Sequence, residues 1–222
     1  MLRGFSERVR REGVRLAVKN AIGALLPDRF EVWHLAFNSG TLALAPRKDA
    51  TLTIGSAAIK ELKRRRVDNQ KRIEFYREEI DGIQSCFLAC VDDRLATIAW
   101  AYDHTKYVYF LRMHPGDAEI RHVYSVAEFR GRGLAKAVIA AACRSLFHDG
   151  FQHIYAVIHF RNEASLRTFR SIGFTRVAEL KRPPLFGPRY VTAEGRTESW
   201  LDALGRSLRS WRFHPATPPD QQ

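Results

Sequence analysis

Cysteine is scarce in this chain, and no apolar run in it is long. Three cysteines, Cys86, Cys90 and Cys143, stand among 222 residues. They are too few and too irregularly spaced for a disulfide framework or a zinc site, so no metal is expected. Cys86 and Cys90 lie an even number of residues apart in an apolar run and should share one strand face as small core residues. So little cysteine suits a reducing compartment. No uncharged stretch is long enough to span a bilayer. Arg15 and Lys19 interrupt the place where a secretory leader would carry its apolar block. A cytoplasmic protein is expected. Internal repeats and low-complexity tracts are missing too, as are helix-turn-helix, zinc-finger and aromatic RNA-binding signatures, which excludes specific nucleic-acid readout by those routes. Acidic residues are in the minority: 24 against 36 Lys and Arg, a net charge of +12. A field of that sign attracts polyanions, among them phosphorylated ligands, anionic lipid and acidic carrier proteins.

What is present is an ordinary globular balance, 45% hydrophobic and 27% charged, enough for one packed domain with extensions. Residues 1–49 form a basic N-terminal extension, with an amphipathic helix up to about residue 29 and a possible strand from Phe30 to Phe37. The domain proper is expected over 50–195, and a C-terminal helix and disordered tail over 196–222. Within the domain, Thr51–Ile54 reads as a short strand and Ile59–Ile80 as two charged helical pieces. Ser85–Val91 and Leu95–Tyr102 form a hairpin around Asp92-Asp93. Tyr107–Leu111 is a further strand. His153–Phe160 and Phe174–Leu180 read as strands on either side of a helix that Asn162 or Arg161 caps and Gly173 ends. Arg189–Thr192 is a last strand.

The chain is organised around Glu119–Lys136. Ile120, His122, Tyr124 and Val126 alternate with Arg121, Val123 and Ser125, the period of a strand. The pattern breaks at Gly131 and Gly133, and Leu134–Ala142 then favours helix. A strand, a Gly-interrupted basic loop and a helix start can cradle a phosphorylated ligand on backbone N–H groups. The loop is neither a dinucleotide fingerprint nor a Walker loop.

Arg130-Gly131-Arg132-Gly133-Leu134-Ala135 fits the pattern Arg/Gln-x-x-Gly-x-Gly/Ala directly after a strand. Asn162-Glu163-Ala164-Ser165 through Phe169 to Gly173-Phe174 fits Asn-x-x-Ala/Ser-x-x-x-Tyr-x-x-x-Gly-Phe, with Phe169 at the Tyr position. In this order the two motifs resemble the acetyl-coenzyme A-dependent N-acetyltransferases of the GNAT superfamily. The resemblance implies an α/β (α+β) fold: a mixed, mostly antiparallel sheet, helices on both faces and a splayed central strand pair. It also implies acetyl-coenzyme A as acyl donor, an amine as acceptor and direct attack in a ternary complex. Tyr124, Ser125 and Val126 would hold the pantetheine arm, and the Val126 amide would meet the developing oxyanion. Arg130, Gly131, Arg132, Gly133, Leu134, Ala135 and Lys136 would hold the pyrophosphate, with Asn162 and Phe169 also at the cofactor.

Phe169 has no proton to give the leaving thiolate. Tyr124, Ser165 and Tyr155 are candidate donors, and a thiol with pKa near 8.5 also leaves tolerably unassisted. His122 is the candidate base, on the strand face of Tyr124 and Val126; Glu119, Glu128 and His159 are alternatives. Two other readings stand beside this one. A long-chain N-acyltransferase would take its acyl group from acyl-coenzyme A or an acidic acyl carrier protein. A non-catalytic GNAT-fold protein would bind nucleic acid or protein through its basic helices. An oligomer is compatible with all three. The basic run Lys63–Arg66, if it faced the acceptor pocket, would favour an anionic acceptor.

Overall fold

The computed structural model describes residues 28–37, 51–66, 72–106, 111, 113–182 and 189–192. The expected N-terminal helix, residues 107–110 of an expected strand, the loop at 183–188, the C-terminal helix and the tail lie outside the described residues.

Eight strands form one sheet: β1 (Asp28–Ala36), β2 (Thr51–Ile54), β3 (Cys86–Val91), β4 (Arg94–Asp103), β5 (Asp117–Ser125), β6 (His153–His159), β7 (Thr175–Arg182) and β8 (Arg189–Thr192). Their order is β2-β3-β4-β5-β6-β1-β7-β8. Every pairing is antiparallel except β5 with β6. β1, expected ahead of the domain proper, is an inner strand between β6 and β7. Asp92 and Asp93 turn the β3–β4 hairpin with φ of 48° and 62°, the left-handed pair that matches strand twist.

Helices cover both faces. On one face α3 (Leu134–His148) and α4 (Glu163–Arg170) bury Leu134, Val138, Ile139, Leu146 and Phe169 against Trp33, Ala99, Ile120 and Ile154. On the other, α1 (Gly55–Arg65), a 3₁₀ turn (Ile73–Tyr76) and α2 (Arg77–Ile80) bury Ile59, Leu62 and Phe75 against Leu88, Ile98, Trp100 and Tyr155. Trp100 is fully buried there, its indole N–H donating to the Glu74 carbonyl at 2.8 Å. Cys86 and Cys90 both belong to this second core, as free thiols. Burial is the chief cause that pushes both thiols up from their ordinary range.

The basic run on α1 is tied into structure. Arg64 and Arg65 bond Glu61 and pair with Asp93, while Arg66 bonds Glu78 and Glu79 at 2.9 and 2.6 Å. These three arginines are engaged by nearby carboxylates, which removes the reason to read them as a free anion-binding face.

The alternation expected along the central strand breaks. β4 and β5 pair at Trp100↔Arg121 and then at Ile98↔Tyr124, so Ala99 alone faces His122 and Val123. This is a β-bulge, and His122 takes φ of 51° within it. The extra residue exchanges the faces. Ala118, Ile120 and Val123 pack toward α3, whereas Tyr124 packs on the other core. His122 does share a face with Tyr124, through Tyr102, but Ile120 does not.

Candidate active site

β5 and β6 are hydrogen-bonding neighbours over only three residue pairs, Asp117↔His153, Ala118↔Ile154 and Glu119↔Tyr155. Beyond them β5 stays with β4 and β6 stays with β1, and the two strands part into a V. The inner edge of β5 therefore carries backbone groups without a strand partner.

Which groups these are follows from the ladder. The Val126 amide donates to the Ala96 carbonyl at 2.9 Å, back toward β4. It is thus spent, and the oxyanion role expected for it fails. Antiparallel residues alternate between facing their partner strand and facing away. Ser125 faces away: the Arg130 Nε donates to its carbonyl at 3.1 Å from outside the ladder. Its side chain meets the Thr97 hydroxyl at 2.9 Å, as expected of a pair that does not exchange backbone bonds. By the same parity Val123 and Ser125 present their backbone to the V.

Past the strand, a 3₁₀ turn (Ala127–Phe129) leads into Gly131 and Gly133, with φ of 75° and 73°. At Gly131 a Cβ would meet nothing within 4 Å, so the space above the loop is open. Gly133 caps α3 without a side chain, and the first helical bond runs from Ala137 N to Gly133 O. The amides of Leu134, Ala135 and Lys136 come before that bond and have no helical acceptor. With no acidic residue in the first turn, this end of a fifteen-residue helix carries uncompensated positive potential. Arg130 and Arg132 stand exposed beside it. Arg132 and Arg94 each lie 5.3 Å from the Phe129 ring centroid, and Arg94 also pairs with Glu128.

On the face away from α3, titratable groups gather where the strands part. Glu119 is buried, and among the described residues its Oε2 has no hydrogen-bond partner. Burial pushes its carboxyl up from the ordinary range, and the Arg121 guanidinium draws it partly back. Tyr102 donates its hydroxyl to Asp81 at 2.6 Å, and Arg77 donates to the same oxygen at 3.0 Å. Burial first, then that bond, raises the Tyr102 phenol far above its usual range. Tyr155 is raised as well, chiefly by burial, and packs on His34. Tyr124 sits between Phe75, at 5.4 Å, and the Arg72 guanidinium, at 4.6 Å.

The sequence model of the acetyltransferase (GNAT) family matches residues 56–174. The chain belongs to the GNAT acetyltransferase family. No curated protein sequence matches it. Among solved structures, a GNAT-family protein from Novosphingobium aromaticivorans is 17% identical over 70% of this chain and 62% of its own, with a TM-score of 0.48. A fungal glucosamine N-acetyltransferase region within a multi-domain β-N-acetylglucosaminidase is 14% identical over 77% of this chain and 22% of its own, with a TM-score of 0.51. A Sinorhizobium meliloti phosphinothricin acetyltransferase in complex with acetyl-coenzyme A is 18% identical over 58% of this chain and 76% of its own, with a TM-score of 0.42. At these identities the likeness is one of fold. The chain spans 62%, 56% and 54% of the first three structures it resembles.

Measured against the GNAT motifs, the loop residues and Tyr124 to Val126 come together at the mouth of the V, while Asn162, Ser165 and Phe169 belong to α4 and its cap. Phe169 is 3% exposed and packs edge-on against Phe174 at 4.9 Å, within the core under α3. It is a packing residue, and its assignment to the cofactor falls. Asn162 caps α4, its side-chain oxygen accepting the Ser165 amide at 3.3 Å. Ser165 lies in the first turn of that helix. His159 accepts the Arg161 amide at 3.0 Å and packs edge-on against Phe30, away from the vertex. Glu119, a minor alternative in the sequence, is the buried carboxylate at the last β5–β6 pair. The sequence signal for it was its place at the head of the central strand; its burial was not readable there.

Proposed function

We propose that this GNAT protein transfers an acyl group, most simply acetyl, from coenzyme A to a primary amine in one direct attack. The observation that supports this best is the V between β5 and β6, opening beside a helix N-terminus whose first amides are free. The diphosphate lies on the amides of Gly133 to Lys136, with Arg130 and Arg132 adding charge. The pantetheine arm completes the sheet edge at Val123 and Ser125. An amide of that edge, in place of Val126, meets the thioester oxygen as it gains charge. The amine nitrogen bonds to the carbonyl carbon, the C–S bond breaks, and the amine's surplus proton goes to Glu119. His122, on the same face, is the alternative base. The acceptor enters as an ammonium and so sheds two protons. One passes to Glu119, and the other passes to the thiolate, directly or through the Tyr124 hydroxyl, which gives its own proton and takes the acceptor's. A thiolate of ordinary pKa near 8.5 leaves readily.

The test is thiol release with an amine panel and three donors: acetyl-coenzyme A, a long-chain acyl-coenzyme A and an acyl carrier protein thioester. Amine-dependent release from acetyl-coenzyme A is expected. Release from the carrier-protein thioester alone would replace this reading with the long-chain one, and release from none of them would leave a binding protein.

A further inference from the structure

Glu119 and Arg121 are two residues apart on β5, upstream of the bulge, and so share the face turned from α3. The Arg121 Nε lies 3.6 Å from Glu119 Oε1, an ion-pair distance too long for a good hydrogen bond. The Arg121 side chain is only 16% exposed. Its guanidinium lies 5.0 Å from the Tyr102 ring centroid. The Tyr102 hydroxyl is already given to Asp81. Among the described residues, none of Arg121's side-chain N–H groups finds a hydrogen-bond acceptor. Its nitrogens are not among the fully buried unpartnered atoms, so the fork remains open to an acceptor from outside. Beside it Glu119 Oε2, fully buried, has no donor among the described residues. An acceptor-poor cation and a donor-poor anion thus stand side by side where the strands part.

A ligand that completes both must carry an ammonium and an anion on the same or neighbouring carbons. We propose that the acceptor is an α-amino acid, its carboxylate on the Arg121 fork and its amino group delivered to Glu119. This rests on the acyl-transfer reading and names the substrate class of the same site. The planar guanidinium suits a carboxylate, which can take two parallel N–H bonds. A neutral or purely cationic amine leaves Arg121 without an acceptor and is discriminated against for that reason. The roles divide accordingly: Glu119 takes the proton, and Arg121 binds and orients the acceptor.

The experiment pairs amino acids with their decarboxylated amines: L-alanine with ethylamine, L-phenylalanine with 2-phenylethylamine, L-lysine with cadaverine. kcat/KM for each is measured with acetyl-coenzyme A in the full chain, in Arg121→Gln and in Arg121→Lys. The wild type is expected to prefer the amino acid of each pair by about 10- to 100-fold. In Arg121→Gln that preference should fall to within about threefold, with Arg121→Lys between. The ratio within a pair cancels any general effect of the substitution on Glu119 or on folding. Equal use of both members, a preference that survives in Arg121→Gln, or bound acetyl-coenzyme A with no turnover of any of the six would overturn the amino-acid assignment alone. Absence of acetyl-coenzyme A binding would remove the acyl-transfer reading, and this one with it.

Discussion

At the scale of the residue, the proposed reaction turns on Glu119 as its base. A base must be ionised to accept a proton, and burial holds this carboxyl above the ordinary range. kcat/KM should therefore rise with pH through a limb that lies above the usual carboxylate pKa. Glu119→Gln should lower kcat by roughly 10²- to 10⁴-fold and abolish that limb. The same shift bears on stability, with the opposite sign for the variant. A carboxyl raised in the folded state costs nothing below its unfolded pKa, and its burial destabilises increasingly as pH climbs through the folded one. Glu119→Gln should then melt higher than the wild type at pH 8 and lose that advantage below about pH 4. Melting curves at the two pH values check this. A variant that melts lower at pH 8 would show that Glu119 contributes to the fold rather than burdening it.

At the scale of the element, the bend before α3 is where backbone geometry becomes binding. Gly131 holds φ of 75° with open space above it. Gly131→Ala should cost about 1–2 kcal/mol in denaturant unfolding, from the left-handed backbone alone. If the diphosphate lies over this loop, the new methyl group enters its space, and affinity for acetyl-coenzyme A should fall by more than about tenfold as well. Affinity that remains unchanged would place the ligand elsewhere. This element was legible beforehand because glycine, propensity and charge are local signals: the loop and α3 lie where Gly131, Gly133 and Leu134 put them. The bulge was not legible. His122 is not a glycine, and its positive φ follows from the register with β4, a partner about 20 residues back in the chain. One unread residue reversed the parity of the strand, which turned the backbone of Val123 and Ser125, in place of Val126, away from β4. Phe169 misled in a similar way. A motif fixes where a residue falls on a helix, but its burial against Phe174 depends on packing from the following strand.

At the scale of the whole molecule, the sheet joins what the sequence separates. Nothing local in Phe30–Phe37 shows that it pairs with His153–His159 on one side and with β7 on the other. Deletion through residue 37 should therefore remove an inner strand and its buried Val32, Trp33 and Leu35. The expected result is loss of the cooperative thermal transition followed by circular dichroism. A truncated chain that still melts cooperatively near the wild-type temperature would show the strand to be dispensable. The net charge of +12 acts at the same scale: it attracts polyanions, and under the proposed function it should favour coenzyme binding with a strength that salt reduces. The most direct test of the central claim is calorimetric titration of acetyl-coenzyme A into the wild type and into Gly133→Glu at matched ionic strength. The account predicts one-to-one binding in the range of about 1 μM to 1 mM for the wild type. It predicts no detectable heat for the variant, whose carboxylate stands where the diphosphate should lie. Equal binding by both proteins, or none by the wild type at millimolar ligand, would contradict it.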